Sequence, residues 1–188
     1  MLETIAQLNQ QILELKARVA MMRREQSPQA VKDCDLAKAG TGERVRLSTL
    51  FAGKKDLLLV QNMGKRCAYC TMWADGFIGL FPHLANRAAF VLATPDDPAT
   101  AGEFAKSRGW PFPVVSMHQT TFARDLGFAR PDGGISPGVS AFSMDAAGAI
   151  TRVGVSAEFG PGDDFCATWH FLDLLKDGPA DWEPKFRY

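Results

Sequence analysis

Two short, unbroken apolar runs constrain the fold of this chain more than any other feature. Asp56–Asn62 reads DLLLVQN, and Ala89–Ala93 reads AFVLA. A strand that is apolar on both faces must be covered on both faces, which is the condition of a central strand in a parallel sheet. Between the runs, Thr71 to Arg87 is long enough for a helix, with Trp73, Phe77, Leu80, Phe81 and Leu84 assigned to one face. Gly76, Gly79 and Pro82 are expected to bend or interrupt it. The unit is strand, helix, strand.

The remaining elements extend this unit. Arg44–Leu47 reads as a short strand, as does Phe112–Ser116 beside Pro111 and Pro113. Asp97-Pro98 opens a helix that closes at Gly109, with proline in its first turn. Thr121–Leu126 reads as a short helix. Val139–Met144 and Ile150–Val155 flank a DAAG turn, the pattern of an antiparallel hairpin. A last helix is expected from Asp163 to Leu175, with acids at its positive end and Trp169, Phe171 and Leu172 in the core. The order gives an α/β three-layer sandwich: a central mixed sheet with a C-terminal antiparallel hairpin. Residues 44–188 form this domain, and residues 1–43 form an N-terminal helix and a linker or wrapping loop.

From Leu2 to Met22, apolar side chains recur at Ile5, Leu8, Ile12, Leu15, Val19 and Met22, steps of three and four that define an amphipathic helix. The expectation is that this seam docks on its own domain. A homodimer through the seam is the alternative; in a parallel pair Arg18 and Arg23 would oppose each other. The aromatic C-terminus, Trp182 to Tyr188, is expected to pack on the sheet or on a neighbouring subunit.

Composition narrows the function classes. Lys+Arg and Asp+Glu both number 21, so no charge excess points to nucleic acid. No apolar run approaches the roughly 18–20 residues that span a bilayer, and the N-terminus lacks the apolar core of a signal peptide. Four cysteines among 188 residues do not make a secreted disulfide scaffold. The reading is a cytoplasmic protein whose thiols are reduced by default.

The chemistry lies in MGKRCAYCTMW, Met63 to Trp73. Cys67 and Cys70 follow a buried strand and open a helix, the end of an open α/β sheet where reactive groups collect. Cysteines three apart on a first helical turn point the same way. Cys67 meets the positive helix end, with Lys65 and Arg66 before it, and these favour the nucleophilic thiolate. Cys70, a turn further in, suits the resolving role. Zinc would require a second such pair or a close His pair, whereas Cys34 and Cys166 stand alone and His83, His118 and His170 are scattered. Thr71 occupies the place where c-type haem attachment needs His. Cu(I) delivery by the pair plus one His stays open, as does a binding module that leaves its thiols unused.

Around the pair, Arg66, Tyr69 and Trp73 are candidates for substrate contact. Trp73 also fits the core by its spacing with Phe77. Cys34 and Cys166 read as ordinary thiols, His118 as a surface histidine, and Asp75 and Asp125 as solvated acids. No cofactor or metal is called for. The partners are a protein or small-molecule disulfide and an external reductant.

VRLSTLF (Val45–Phe51), the apolar strand, CAYC and the FPVVS run resemble the thioredoxin superfamily on its peroxiredoxin-like side. CAYCTMWADGF, GWPFPVVS, SPGVSAFSMD and TWHFLDLLKDGPADWEPKFRY are similar to one family of bacterial proteins, known as domain of unknown function 899 and labelled predicted dithiol-disulfide oxidoreductase. The resemblance covers about residues 44–188, with the leading helix in keeping. It implies a thioredoxin-like fold and an active Cys67–Cys70 pair, and no particular substrate. Three departures stand out. The Thr and Pro that shape a peroxiredoxin pocket are Gly64 and Val60 here. The buried Asp of thioredoxin is Gln61. The place of its cis-proline falls near Val139, after Pro137 and Gly138, which adds Val139 to the substrate-facing candidates.

Overall fold

A computed structural model describes residues 3–156 and 159–188. Along the chain the elements are α1 (Ile5–Glu25), β1 (Gln29–Val31), β2 (Asp35–Lys38), β3 (Arg44–Arg46), a 3-10 helix (Leu47–Phe51), β4 (Asp56–Gln61), α2 (Ala68–Arg87), β5 (Ala89–Thr94) and α3 (Pro98–Arg108). They continue with β6 (Val114–Ser116), α4 (Phe122–Asp125), β7 (Gly138–Met144), β8 (Ile150–Ser156) and α5 (Ala167–Leu172).

The two apolar runs are the centre of the sheet. β4 and β5 pair in parallel, Leu57 opposite Ala89 through Gln61 opposite Ala93. β6 continues the parallel set beyond β5. On its other side β4 takes the antiparallel hairpin β7–β8. The order is β1-β8-β7-β4-β5-β6-β2-β3, eight strands in one mixed sheet. β1 closes one edge at β8, and beyond β6 the sheet continues through β2 to β3 at the opposite edge. The segment read as a linker or wrapping loop therefore supplies two strands. β1 and β2, three and four residues long, are too short to show a period.

Alternation along β4 sorts the core into two layers. Leu57 and Leu59 join Leu47, Phe51, Phe128 and Phe142 on one face. Val60 joins Trp73, Phe77, Phe90, Phe112 and Trp169 on the other, under α2 and α5. α2 runs unbroken through Gly76, Gly79 and Pro82. Its buried face carries Trp73, Ala74 and Phe77, and fully burying each large side chain gains about 1.5–3 kcal/mol, enough to offset a proline interruption of about 3 kcal/mol. Leu80 departs from the expected face and is exposed.

Three other expectations change. The last helix is shorter than Asp163–Leu175, because the Asp163 carboxylate accepts N–H bonds from Gly160, Phe165 and Cys166 and holds that stretch as a turn. Phe171 is exposed while Trp169 is buried. The seam of α1 does not dock: the helix has no buried residue. It lies against β8 without burying its seam, and an exposed ion pair, Lys16 Nζ to Asp164 Oδ1 at 2.5 Å, also ties it to the domain. Leu2, at the start of the expected helix, lies outside the described residues. At the C-terminus, Trp182 packs edge-on to Trp169 and Phe186 to Phe104, while Tyr188 is exposed.

Candidate active site: two thiols on the first turn of α2

The loop from β4 to α2 is fixed by backbone bonds to side chains. Gly64 N–H donates to Asn62 Oδ1 at 3.0 Å, and Lys65 N–H to Asp96 Oδ2 at 2.7 Å. Thr94 Oγ1 donates to the same Asp96 oxygen. Gly64 adopts φ +94°, and a Cβ there would lie 3.0 Å from Asp96 Oδ1. Only glycine enters that conformation without strain. The loop delivers Cys67 as the N-cap of α2, where its Sγ accepts the Cys70 N–H at 3.0 Å. Thr71 Oγ1 donates to the Cys67 carbonyl.

Both thiols are free, and their surroundings differ. Cys67 is half-buried, whereas Cys70 is 3% exposed. The Cys67 pKa is lowered from the ordinary thiol value to about 7. The main cause is the S–H of Cys70 donated to the Cys67 sulfur. The N–H groups of Cys70 and Tyr69 add to it, against partial burial. Lys65 and Arg66, expected to help, are exposed and not among the causes. The Cys70 pKa is pushed up by its bond to Cys67, by burial and by the negative charge on Cys67, opposed mainly by the Met63 N–H at 3.5 Å. One thiol is thus an anion near neutrality and the other holds its proton.

This arrangement predicts an alkylation profile. The rate of iodoacetamide capture at Cys67 rises through a midpoint near pH 7, where an ordinary thiol has its midpoint near about 8.5. Cys70→Ala removes the principal donor and moves the midpoint upward. A midpoint indifferent to that substitution contradicts the assigned cause.

The other candidate residues surround the pair. Tyr69 is half-buried, its ring 6.0 Å from that of Trp169 and 6.3 Å from that of Trp73. It borders a hollow of about 360 Å³ shared with Trp169, Trp182 and Asp173. Trp73 is 3% exposed and donates its indole N–H to Asp163 Oδ1 at 3.3 Å, so it lies in the core layer beneath Tyr69. Arg66 lines a separate hollow of about 440 Å³ with Lys65, Asp97 and His118. Val139 pairs across the sheet with Val60, and Pro137 lines a small apolar cavity against Cys70, Trp73 and Phe159. No peptide bond among the described residues is cis. Gln61 is fully buried; its Nε2 donates to the Ser136 carbonyl, and its Oε1 has no partner among the described residues. Cys34 packs against the opposite core layer, and Cys166 is buried beside Trp73 and Trp169. Among the described residues no three His, Cys, Asp or Glu side chains group as metal ligands.

The sequence profile of one family, described as bacterial protein of unknown function (DUF899), matches residues 6–185. The chain belongs to that DUF899 family. No curated protein matches it. Among solved structures it is similar to the peroxidoxin BcpB of Mycobacterium tuberculosis, 26% identical over 75% of this chain and 89% of that one, with a TM-score of 0.59. A PrxQ mutant from Xylella fastidiosa is 16% identical over 69% and 84% of the two chains, with a TM-score of 0.56. A hypothetical protein from Sinorhizobium meliloti is 14% identical over 79% and 82%, with a TM-score of 0.53. This DUF899 protein therefore has the thioredoxin-like fold of peroxiredoxins, with an added N-terminal helix.

Three acids were not legible as parts of this framework. Asp96 anchors the cysteine loop from 31 residues away. Asp163 anchors Trp73 from 90 residues away. Asp75, read as solvated, accepts from Arg108 and from the Trp110 indole N–H and ties α2 to α3. Of the three, only Asp163 was marked in the sequence, as an acid at a helix start.

Proposed function

We propose that this DUF899 protein is a thiol–disulfide oxidoreductase with Cys67 as nucleophile and Cys70 as resolving thiol. The observation that carries the reading is the pairing of a half-buried sulfur, ionised near neutrality, with a buried protonated sulfur one turn below it. The Cys67 thiolate attacks one sulfur of a substrate disulfide. A mixed disulfide forms and the other substrate sulfur leaves as thiolate. Cys70 then attacks the Cys67 sulfur of the mixed disulfide, its proton passes to the second leaving sulfur, and a Cys67–Cys70 disulfide remains. Two electrons and one proton from an external dithiol restore the Cys67 thiolate and the Cys70 thiol, and the dithiol's second proton passes to the thiolate released in the first step. The likeness to proteins named as peroxiredoxins supports thiol redox chemistry in general. Gly64, at the position of the peroxiredoxin threonine, carries no hydroxyl for a peroxide, which favours a disulfide as substrate.

Tyr69 is the proposed substrate platform, with Trp73 supporting its ring from below. Arg66 flanks the approach on the other side, and Val139 contributes the sheet side. The substrate is a protein or small-molecule disulfide, and the proposed setting is the cytoplasm. Among the described residues no helix is long and apolar enough to cross a membrane.

The test is a trap. Cys70→Ser incubated with cell extract accumulates mixed disulfides at Cys67, which diagonal non-reducing/reducing electrophoresis resolves. Mild oxidation of the wild type yields a Cys67–Cys70 linked peptide by mass spectrometry. Failure to recover that linkage at any realistic potential removes the reading.

A further inference from the structure

α1 is a complete, well-started helix whose apolar seam is left open. It runs for 21 residues from a capping box. Thr4 Oγ1 accepts the Gln7 N–H at 3.2 Å, and Thr4 N–H donates to Gln7 Oε1 at 2.8 Å. The seam residues are all exposed, from Leu8 at 42% to Ile5 at 79%. In proteins most of a helix's stability comes from packing its amphipathic face, and this face is exposed. Its seam alternates Ile5, Ile12 and Val19 with Leu8, Leu15 and Met22, the spacing that two helices bury against each other.

We propose that α1 pairs with α1 of a second copy of this chain, and that the pair is antiparallel. The flanking charges decide the direction. In a parallel pair each residue just before one seam row faces the partner residue five further along. Arg18 would then oppose the partner's Arg23, twice by symmetry. In the antiparallel pair centred on Ile12 against the partner's Leu15, the layers are Ile5 with the partner's Met22 and Leu8 with the partner's Val19. Every layer sets a β-branched side chain against Leu or Met. The flanks then place Gln11 beside the partner's Arg18, Asn9 beside the partner's Lys16 and Thr4 beside the partner's Glu25. No like charges meet, and Arg18 and Lys16 each face a neutral amide. Lys16 stays free to hold its own Asp164.

Sedimentation velocity of the full-length protein over a dilution series tests this. A dimer is expected for the wild type. Leu15→Asp is expected to lose it, because each central layer would then bury a carboxylate. Since Leu15 contributes nothing to the domain core, the pH profile of Cys67 alkylation stays unchanged in that variant and shows the domain to be folded. Asn9→Glu leaves the Thr4 cap intact, sets a carboxylate beside the partner's Lys16 twice by symmetry, and tightens the antiparallel dimer roughly two- to fivefold. Arg18→Gln leaves its dissociation constant unchanged. A wild type that is monomeric at every concentration, or a dimer that survives Leu15→Asp, overturns the proposal. A dimer that ignores Asn9→Glu, or that tightens on Arg18→Gln, overturns the antiparallel direction.

Discussion

Cys67→Ser is expected to abolish reduction of an insulin-type disulfide, with kcat/KM falling by about three orders of magnitude or more, as when other covalent nucleophiles are removed. The size follows from the chemistry. A serine hydroxyl stays protonated at neutral pH and forms no mixed disulfide. The groups that lower the Cys67 pKa, the Cys70 S–H and the N–H groups of Cys70 and Tyr69, have no thiolate to stabilise once the sulfur is gone. Cys70 does not take over, because it is buried and its pKa is raised. Cys70→Ser behaves differently: the first attack proceeds and the second does not, so substrate accumulates as an adduct. A Cys67→Ser protein that retains wild-type turnover would end the assignment.

Trp73→Ala carries the largest expected cost in stability. The ring is buried in the layer between α2 and the sheet and contacts the rings of Tyr69, Phe159 and Trp169. Truncation of a buried Trp or Phe costs about 3–5 kcal/mol, which lowers Tm by roughly 10–15 °C for a chain of this size. It also leaves the Asp163 carboxylate without its indole donor, although three N–H groups still hold it. Trp73→Phe keeps most of the packing and loses only the N–H, so thermal denaturation should place it well above Trp73→Ala. If the two variants melt together, the hydrogen bond outweighs the packing. If neither melts below wild type, Trp73 is not a core residue.

What the sequence made legible were the features whose signal is local. The β4 and β5 runs, the proline-opened α3 and the β7–β8 hairpin each announce themselves within one stretch of consecutive residues, by pattern or by a turn. The cysteine pair was readable for the same reason: spacing and strand–helix context lie together. β1 was missed because it exists only by virtue of a distant partner, and β2 because four residues show no period even though β3 pairs with it nearby. The shortened α5 was missed because Asp163, read as an N-terminal acid of the helix, spends its oxygens on a turn instead. Of the causes expected for a low Cys67 pKa, the N–H groups of the helix end contribute, Lys65 and Arg66 do not, and the largest, the Cys70 S–H, was not foreseen. Sequence adjacency does not say which way a long, exposed cation points.

The edge strand β1 also sets an order of events in synthesis. Its residues are made early, yet Gln29 pairs with Arg152 and Val31 with Ile150. As the ribosome extends the chain, that edge stays unpaired until the second arm of the hairpin has emerged. Such long-separated pairings form slowly. The nascent protein thus carries an open β-edge through most of its translation, and closing it is one of the last steps toward the finished sheet.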